Sequence, residues 1–439
     1  VSLSLAGARL IANPRSLSLY SQTLHKTRTL TSCQGERIDR FARGILFSKL
    51  SQIQGASLTI SDSLGTQQFG DASKSSIMVQ VHQPRTYSRI AFGGSVGTGE
   101  SYWDGDWDCS DLTGLTRLFV QNRQVLNAMD SGIHRVAQPF IHRLHQARQN
   151  SESGSKKNIV AHYDLGNDFF GLFLDENWMY SSGKFDDQTM TLDEAQRNKN
   201  DALCKSLDLK PSDHLLEIGT GWGGFAIHAA RNYGCRVTTT TISDRQYELA
   251  RERIAQSGLS DQITLLKEDY RKLKGQYDHL VSIEMIEAVG LNFLDTYFKK
   301  CASLVKPGGR MGLQSILIRD QYYEHAAKNV DFIQTHIFPG SAIPSLARIL
   351  ASTRDQTDFL VERVETFGLD YARTIHLWSE NLEKRQSEIK LLGYPDSLYR
   401  LWKYYFAYCE GGFLEKSISV AQITFSKTNE RPYSTGVSS

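Results

Sequence analysis

The chain has 439 residues, enough for two or three separate cores, and its formal net charge of +2 excludes a strong field for nucleic acid. Six scattered cysteines without a C-x-x-C pair argue against structural zinc or a disulfide framework and suit a reducing compartment; no metal site is assigned. No apolar run approaches the roughly 18–20 residues of a membrane-spanning helix.

In chain order, Val1 to Gly35 is rich in Ser, Leu and Arg, contains no acid, and reads as a flexible tail, with order beginning near Glu36. Phe41 to Leu50 has the spacing of a short amphipathic helix. Leu58-Thr59-Ile60 and Ile77 to Val81 alternate and are separated by turn residues, which predicts a small antiparallel sheet. Gly93 to Asp108, GGSVGTGESYWDGDWD, reads as a glycine-rich loop. Leu112 to His145 reads as helical and locally basic, through Arg117, Arg123, His134 and Arg135 among others. That face is either solvated or interfacial. The polar run from Gln149 to Asn158 is the best linker in the sequence. The expected organisation is therefore a smaller N-terminal α+β domain (36–148), a linker (149–158), a larger second domain (159–430) and a short tail (431–439).

The second domain is organised around His214 to Ala230, HLLEIGTGWGGFAIHAA. Leu215 to Ile218 predicts a buried strand, Gly219 to Gly224 a tight turn, and Phe225 to Asn232 a helix. Helix-start N–H groups and glycine backbone can approach a ligand there. The string G-x-G-x-x-G also marks dinucleotide sites, but those want an acid at the end of the second strand. The second strand, Val237 to Ile242, carries none, whereas Glu217 stands where S-adenosylmethionine (SAM) methyltransferases carry an acid. Further strands are predicted at Ile263 to Lys267, Asp278 to Ile283 and Arg310 to Ile318, with helices at Leu192 to Leu207, Arg245 to Ala255 and Phe293 to Val305. Lys306-Pro307-Gly308-Gly309 reads as a stop. This alternation predicts an α/β, doubly wound, Rossmann-like sheet with its ligand at the carboxyl ends of the strands. Ile333 to Tyr408 reads as a largely helical cap that shapes an apolar pocket.

Several motifs stand in a fixed order: HYDLGNDFF (His162 to Phe170), YSS (Tyr180 to Ser182), LLEIGTGWGGFA, TISDRQ (Thr241 to Gln246), EMIEAVG (Glu284 to Gly290), FPGSAIPS (Phe338 to Ser345) and FGLDYARTIHLW (Phe367 to Trp378). Together they resemble the cyclopropane-fatty-acyl-phospholipid synthases, and the resemblance runs from about Phe41 to Ser426. It implies transfer of the SAM methyl to a cis double bond of a phospholipid acyl chain. A carbocation follows, and a bound bicarbonate ion removes a proton so that the ring closes. It implies catalytic roles for Glu287, Tyr371, Ser182, Gln314 and Ile316. Cofactor contacts are implied for Tyr180, Ser181, Glu217, Gly219, Thr220, Gly221, Gly223, Gly224, Thr241, Gln246, Tyr270 and Arg271. Ser182 stands where the common bacterial pattern has cysteine and Gln314 where it has histidine, as in the plant-type members. A cytoplasmic homodimer bound peripherally to membranes is also implied. The rival products are a methylene or methyl branch, and the rival class is a non-catalytic lipid-binding protein.

Overall fold

The computed structural model describes residues 32–123 and 165–428. The expected linker at 149–158, the terminal tail at 431–439, and the basic helix beyond Arg123 lie outside the described residues.

The N-terminal part begins with helix α1 (Ser32–Leu50), so the last four residues of the expected tail are helical. Strands β1 (Ser57–Asp62), β2 (Gly65–Gly70), β3 (Ser76–Val81) and β4 (Trp107–Cys109) form a sheet of order β2-β1-β3-β4. The sheet is mixed rather than antiparallel. β1 and β2 form a hairpin, but β3 returns parallel to β1. The expected glycine-rich loop is instead most of helix α2 (Arg85–Trp103), kinked at Gly94 with φ 54°. Gly97 and Gly99 serve close packing. A Cβ at Gly99 would lie 2.3 Å from the Phe332 ring, which belongs to the catalytic part. Glycine normally weakens a helix interior, so tertiary contact here overrides local propensity. Asp106 lies buried below α2 and accepts from Arg85 and Arg89.

The second sheet has seven strands in the order β10-β11-β9-β8-β5-β6-β7. These are β5 (His214–Ile218), β6 (Arg236–Thr240), β7 (Ile263–Leu266), β8 (Tyr277–Ile283), β9 (Val305–Ile318), β10 (Phe359–Thr366) and β11 (Ile418–Lys427). β5 to β9 are parallel, while β11 runs antiparallel to both β9 and β10. The expected stop at Lys306 to Gly309 is a bulge within β9, where the register against β8 shifts. Parallel strands buried on both faces need helices on both sides. Helices α4 (Leu192–Ser206), α5 (Gly224–Tyr233), α6 (Asp244–Gln256), α7 (Leu294–Leu304) and α8 (Leu346–Gln356) are among those that flank the sheet. α4 opens with a capping box between Thr191 and Glu194, of a kind worth about 1 kcal/mol.

The segment read as a helical cap contributes helices α9 (Gly368–Lys384) and α10 (Asp396–Leu414), but also β10, which extends the sheet. α10 packs against α9, α2 and α3 (Leu112–Gln121) and so joins the two parts of the molecule. Arg400 of α10 donates to the Tyr102 and Trp107 carbonyls and to Asp108. Thr113 donates to Glu410, and Arg117 pairs with Glu415. Among the described residues no helix is long and apolar enough to cross a membrane.

Candidate active site

Chain order reverses between β5 and β8, so the crevice at their carboxyl ends is the switch point where open α/β sheets bind ligands. A cavity of about 1170 Å³ opens there. Glu217, Gly219, Thr220, Gly221, Gly224, Thr241, Gln246, Tyr270, Tyr180 and Ser181 all line it.

The glycine turn is fixed from behind. The Gly219 and Thr220 N–H groups both donate to the Thr240 carbonyl. Arg253 of α6 donates to the Trp222 carbonyl at 2.7 Å, and the Trp222 indole donates to Asn167 at 2.8 Å. A Cβ on Gly224 would lie 2.4 Å from the Asn177 carbonyl oxygen, so only glycine fits. Gly223 does not line the cavity; it takes φ 86° at the start of α5. Glu217 accepts from Thr239 at 2.6 Å, and burial pushes its carboxyl up to about 8. Thr241 donates to Gln246 at 2.9 Å. Ser181 is held by fully buried Lys199, whose ammonium donates to its hydroxyl at 2.8 Å. Burial lowers Lys199 to about 8 against the opposing charges of Glu284, Asp175 and Glu217. The Tyr180 and Tyr405 hydroxyls meet at 3.2 Å. Arg271 stands apart from the other expected cofactor contacts. It does not line the cavity, because its guanidinium folds back onto Asp269 at 2.8 and 2.6 Å.

The acidic end of the cavity differs most from expectation. Tyr371, Ser182 and Gln314 converge, but on the side chain of Glu284. Glu284 Oε2 accepts from the Tyr371 hydroxyl at 2.6 Å. Its Oε1 accepts from the Ser182 backbone N–H at 3.0 Å and from Gln314 Nε2 at 2.8 Å. The Ser182 hydroxyl turns away and donates to the Gly183 carbonyl. Ser182 and Gln314 are buried behind the cavity wall, whereas Glu284 and Tyr371 line it. Glu287 also lines the cavity but has its own donors. Its Oε1 accepts from the Ile316 N–H at 2.6 Å and the Ser315 hydroxyl at 3.0 Å, and its buried Oε2 has no partner among the described residues.

The two carboxyls are driven apart electrostatically. Burial, then the charge on Glu284, pushes Glu287 up to about 8. Burial also raises Glu284, but its three donors and the Lys199 charge pull it back. Two nearby carboxyls that cannot both ionise resolve into one charged and one neutral member. The donors mark Glu284 as the charged one.

Glu284 opens the EMIEAVG motif but is not among the residues to which the resemblance assigns a role. The available signal is the first acid of E-x-x-E, standing just past a strand end in a chain whose Ser182 and Gln314 both depart from the bacterial pattern. Glu284 also has φ 49°, a left-handed conformation that costs a non-glycine residue about 1–2 kcal/mol. Such outliers concentrate at functional sites.

This fold and glycine turn define the class: the protein is a SAM-dependent methyltransferase of Rossmann-like architecture. The family described as mycolic acid cyclopropane synthetase matches residues 150–423, and the chain belongs to it. It is 34% identical to the cyclopropane-fatty-acyl-phospholipid synthase of Escherichia coli, over 80% of this chain and 87% of that one. It is equally 34% identical to the tuberculostearic acid methyltransferase UfaA1 of Mycobacterium tuberculosis, over 78% of this chain and 82% of the relative. The crystal structure of mycolic acid cyclopropane synthase CmaA1 complexed with SAH and CTAB matches with a TM-score of 0.58 and 31% identity. It covers 62% of this chain and 98% of its own.

Proposed function

We propose that this protein transfers the methyl carbon of SAM to one carbon of a cis double bond in a phospholipid acyl chain and closes a cyclopropane ring. The observation that carries the reading is the continuity of the cavity. It runs from the glycine turn, past Glu284 and Tyr371, into the interior of the N-terminal part, where Leu46, Leu58, Ile60, Val79 and Phe119 line it. An alkene is a weak nucleophile, so the sulfonium must be aligned with it and water kept out. A long apolar channel meeting a SAM turn does both. The Escherichia coli relative, named for cyclopropane formation on phospholipids, supports the same substrate.

The residues expected to hold bicarbonate do not fit that ion as they stand. The Tyr371 hydroxyl, Gln314 amide and Ser182 N–H already donate to Glu284, the Ile316 N–H to Glu287 and the Ser182 hydroxyl to the Gly183 carbonyl. A second anion about 4 Å from the Glu284 carboxylate would face roughly 4 kcal/mol of repulsion at an effective dielectric of 20.

A membrane surface is the natural source of substrate. The outer face of α1 supports this with exposed Phe41 and Ile45 beside Arg37 and Arg40, an apolar and basic combination suited to an anionic bilayer. We also propose the homodimer implied by the resemblance, to be checked by sedimentation. A second product, a methylene or methyl branch, is favoured by the equal identity to the tuberculostearic acid methyltransferase.

Mass spectrometry of unsaturated phospholipid vesicles incubated with methyl-labelled SAM separates these readings. A labelled gain of one CH2 without a surviving alkene is expected. The same gain with an alkene retained would give the branched product, and no gain with any unsaturated lipid would leave a lipid-binding protein.

A further inference from the structure

The acid pocket contains more than the proposed reaction has yet used. A carboxylate offers about four acceptor positions. In Glu284 both positions on Oε1 are filled, by Ser182 N–H and Gln314 Nε2, and one on Oε2 is filled by Tyr371. The remaining position on Oε2 belongs to a group that lines the cavity together with the glycine turn.

The support behind this carboxylate is built. Gln314 Nε2 faces Glu284 because its Oε1 accepts from Gln422 Nε2 at 3.1 Å, which sets the direction of the amide. Tyr371 is buried and stacks on Phe413 with centroids 4.5 Å apart, so its hydroxyl stays protonated and donating. Bicarbonate and a glutamate carboxylate present the same planar O–C–O anion to such donors.

We propose that Glu284 is the base of this enzyme, a carboxylate supplied by the chain in place of a bound bicarbonate ion. The inference rests on the methyl transfer proposed above. In that transfer the alkene π pair forms a new bond to the SAM methyl carbon. The sulfur–methyl bond breaks with its electron pair left on sulfur, giving neutral S-adenosylhomocysteine, and the neighbouring carbon becomes a cation. Glu284 Oε2 then takes a proton from the new methyl group. The C–H electron pair closes the third side of the ring, and the protonated carboxyl later returns its proton to solvent. No oxidant, reductant or second anion is required.

The test uses the full chain with dioleoyl phospholipid vesicles and methyl-labelled SAM, in buffer freed of carbon dioxide by argon sparging. Two products are read: S-adenosylhomocysteine for methyl transfer and cyclopropane lipid for proton removal. Wild-type ring formation is expected to stay within about twofold when bicarbonate is removed. Glu284→Gln is expected to lose about 100-fold or more in ring formation, the usual contribution of a positioned base, while binding SAM as wild type does. Glu284→Gly opens space for a small carboxylate, and added bicarbonate or acetate is expected to restore at least about tenfold of its activity. Wild-type ring formation that collapses without bicarbonate and returns with it overturns the inference, and leaves the methyl transfer standing. Near-wild-type ring closure by Glu284→Gln does the same. Absence of S-adenosylhomocysteine from wild type overturns both readings. If either variant fails to fold, the wild-type bicarbonate response decides alone.

Discussion

Gln422 on the last strand donates to the Gln314 amide oxygen at 3.1 Å, and this bond decides which end of Gln314 faces the active-site acid. Gln422 Nε2 also donates to the Lys199 carbonyl, so it is buried with both partners fixed. It is a positioning residue, since it reaches the cavity only through Gln314. Gln422→Leu leaves the Gln314 oxygen unpaired at a cost of about 1–3 kcal/mol and frees the amide to turn. The expected result is roughly a tenfold fall in kcat with the SAM dissociation constant unchanged. Turnover and calorimetric SAM binding on the same preparation check this. Equal loss in both would mean that the change is structural.

Tyr371→Phe removes one of the three donors that hold the Glu284 charge. Losing a donor to the charged form raises a carboxyl further, so ionisation of Glu284 requires a higher pH in the variant. Activity that depends on the carboxylate is therefore lost at higher pH as acid is added. Tyr371→Phe should lose more activity at pH 6 than at pH 8 relative to wild type. Parallel pH profiles of kcat for the two proteins check the direction.

Much of the catalytic sheet could be read from the chain, because buried parallel strands such as Leu215 to Ile218 are short apolar runs between glycines and helices. β10 could not. It is an edge strand whose FLVERVET pattern leaves most side chains exposed, so no apolar run marks it. The helix through Gly93 to Trp103 was hidden for a different reason. Gly99 follows from contact with the distant Phe332 and Tyr404 rings, which local spacing does not record. The site shows the same division. Motif order led to Tyr371, Ser182 and Gln314, but not to the residue on which they converge. That depends on the left-handed turn at Glu284 and on the Ser182 backbone, neither of which is written in residue type.

Gly224→Ala tests the glycine turn. The added methyl would overlap the Asn177 carbonyl oxygen at 2.4 Å and Met179 Sδ at 2.6 Å. Overpacking of this kind costs about 1–3 kcal/mol. Because the turn must shift to relieve it, SAM affinity should fall at least about tenfold, beyond the loss in thermal stability. Isothermal titration below the melting transition separates the two effects.

Phe41→Asp places a charge on the exposed face of α1, where Phe41 is 63% exposed and supports no core. Activity on anionic vesicles should fall several-fold, since an interfacial helix depends on its buried apolar area. Activity on the same lipid dispersed in detergent should not change. Equal activity on vesicles would remove α1 from the membrane contact.

Glu287 makes stability depend on pH with a definite sign. Its folded value is pushed from 4.5 up to about 8, so between those limits the native state holds a proton that the unfolded chain has released. Stability from this group is fully present below about 4.5 and is lost as pH rises through about 8. Glu217, raised to about 8 by burial, contributes in the same direction. Lys199, lowered to about 8, acts oppositely only at higher pH, where the unfolded chain still holds its proton. Tm should therefore fall between pH 5 and pH 8 in the wild type. Glu287→Gln, which stays neutral, should show a shallower fall, driven only by the other carboxyls that burial raises, Glu217 and Glu284 among them. Differential scanning fluorimetry across that range checks the comparison, and identical slopes in the two proteins would mean that Glu287 is already ionised in the fold.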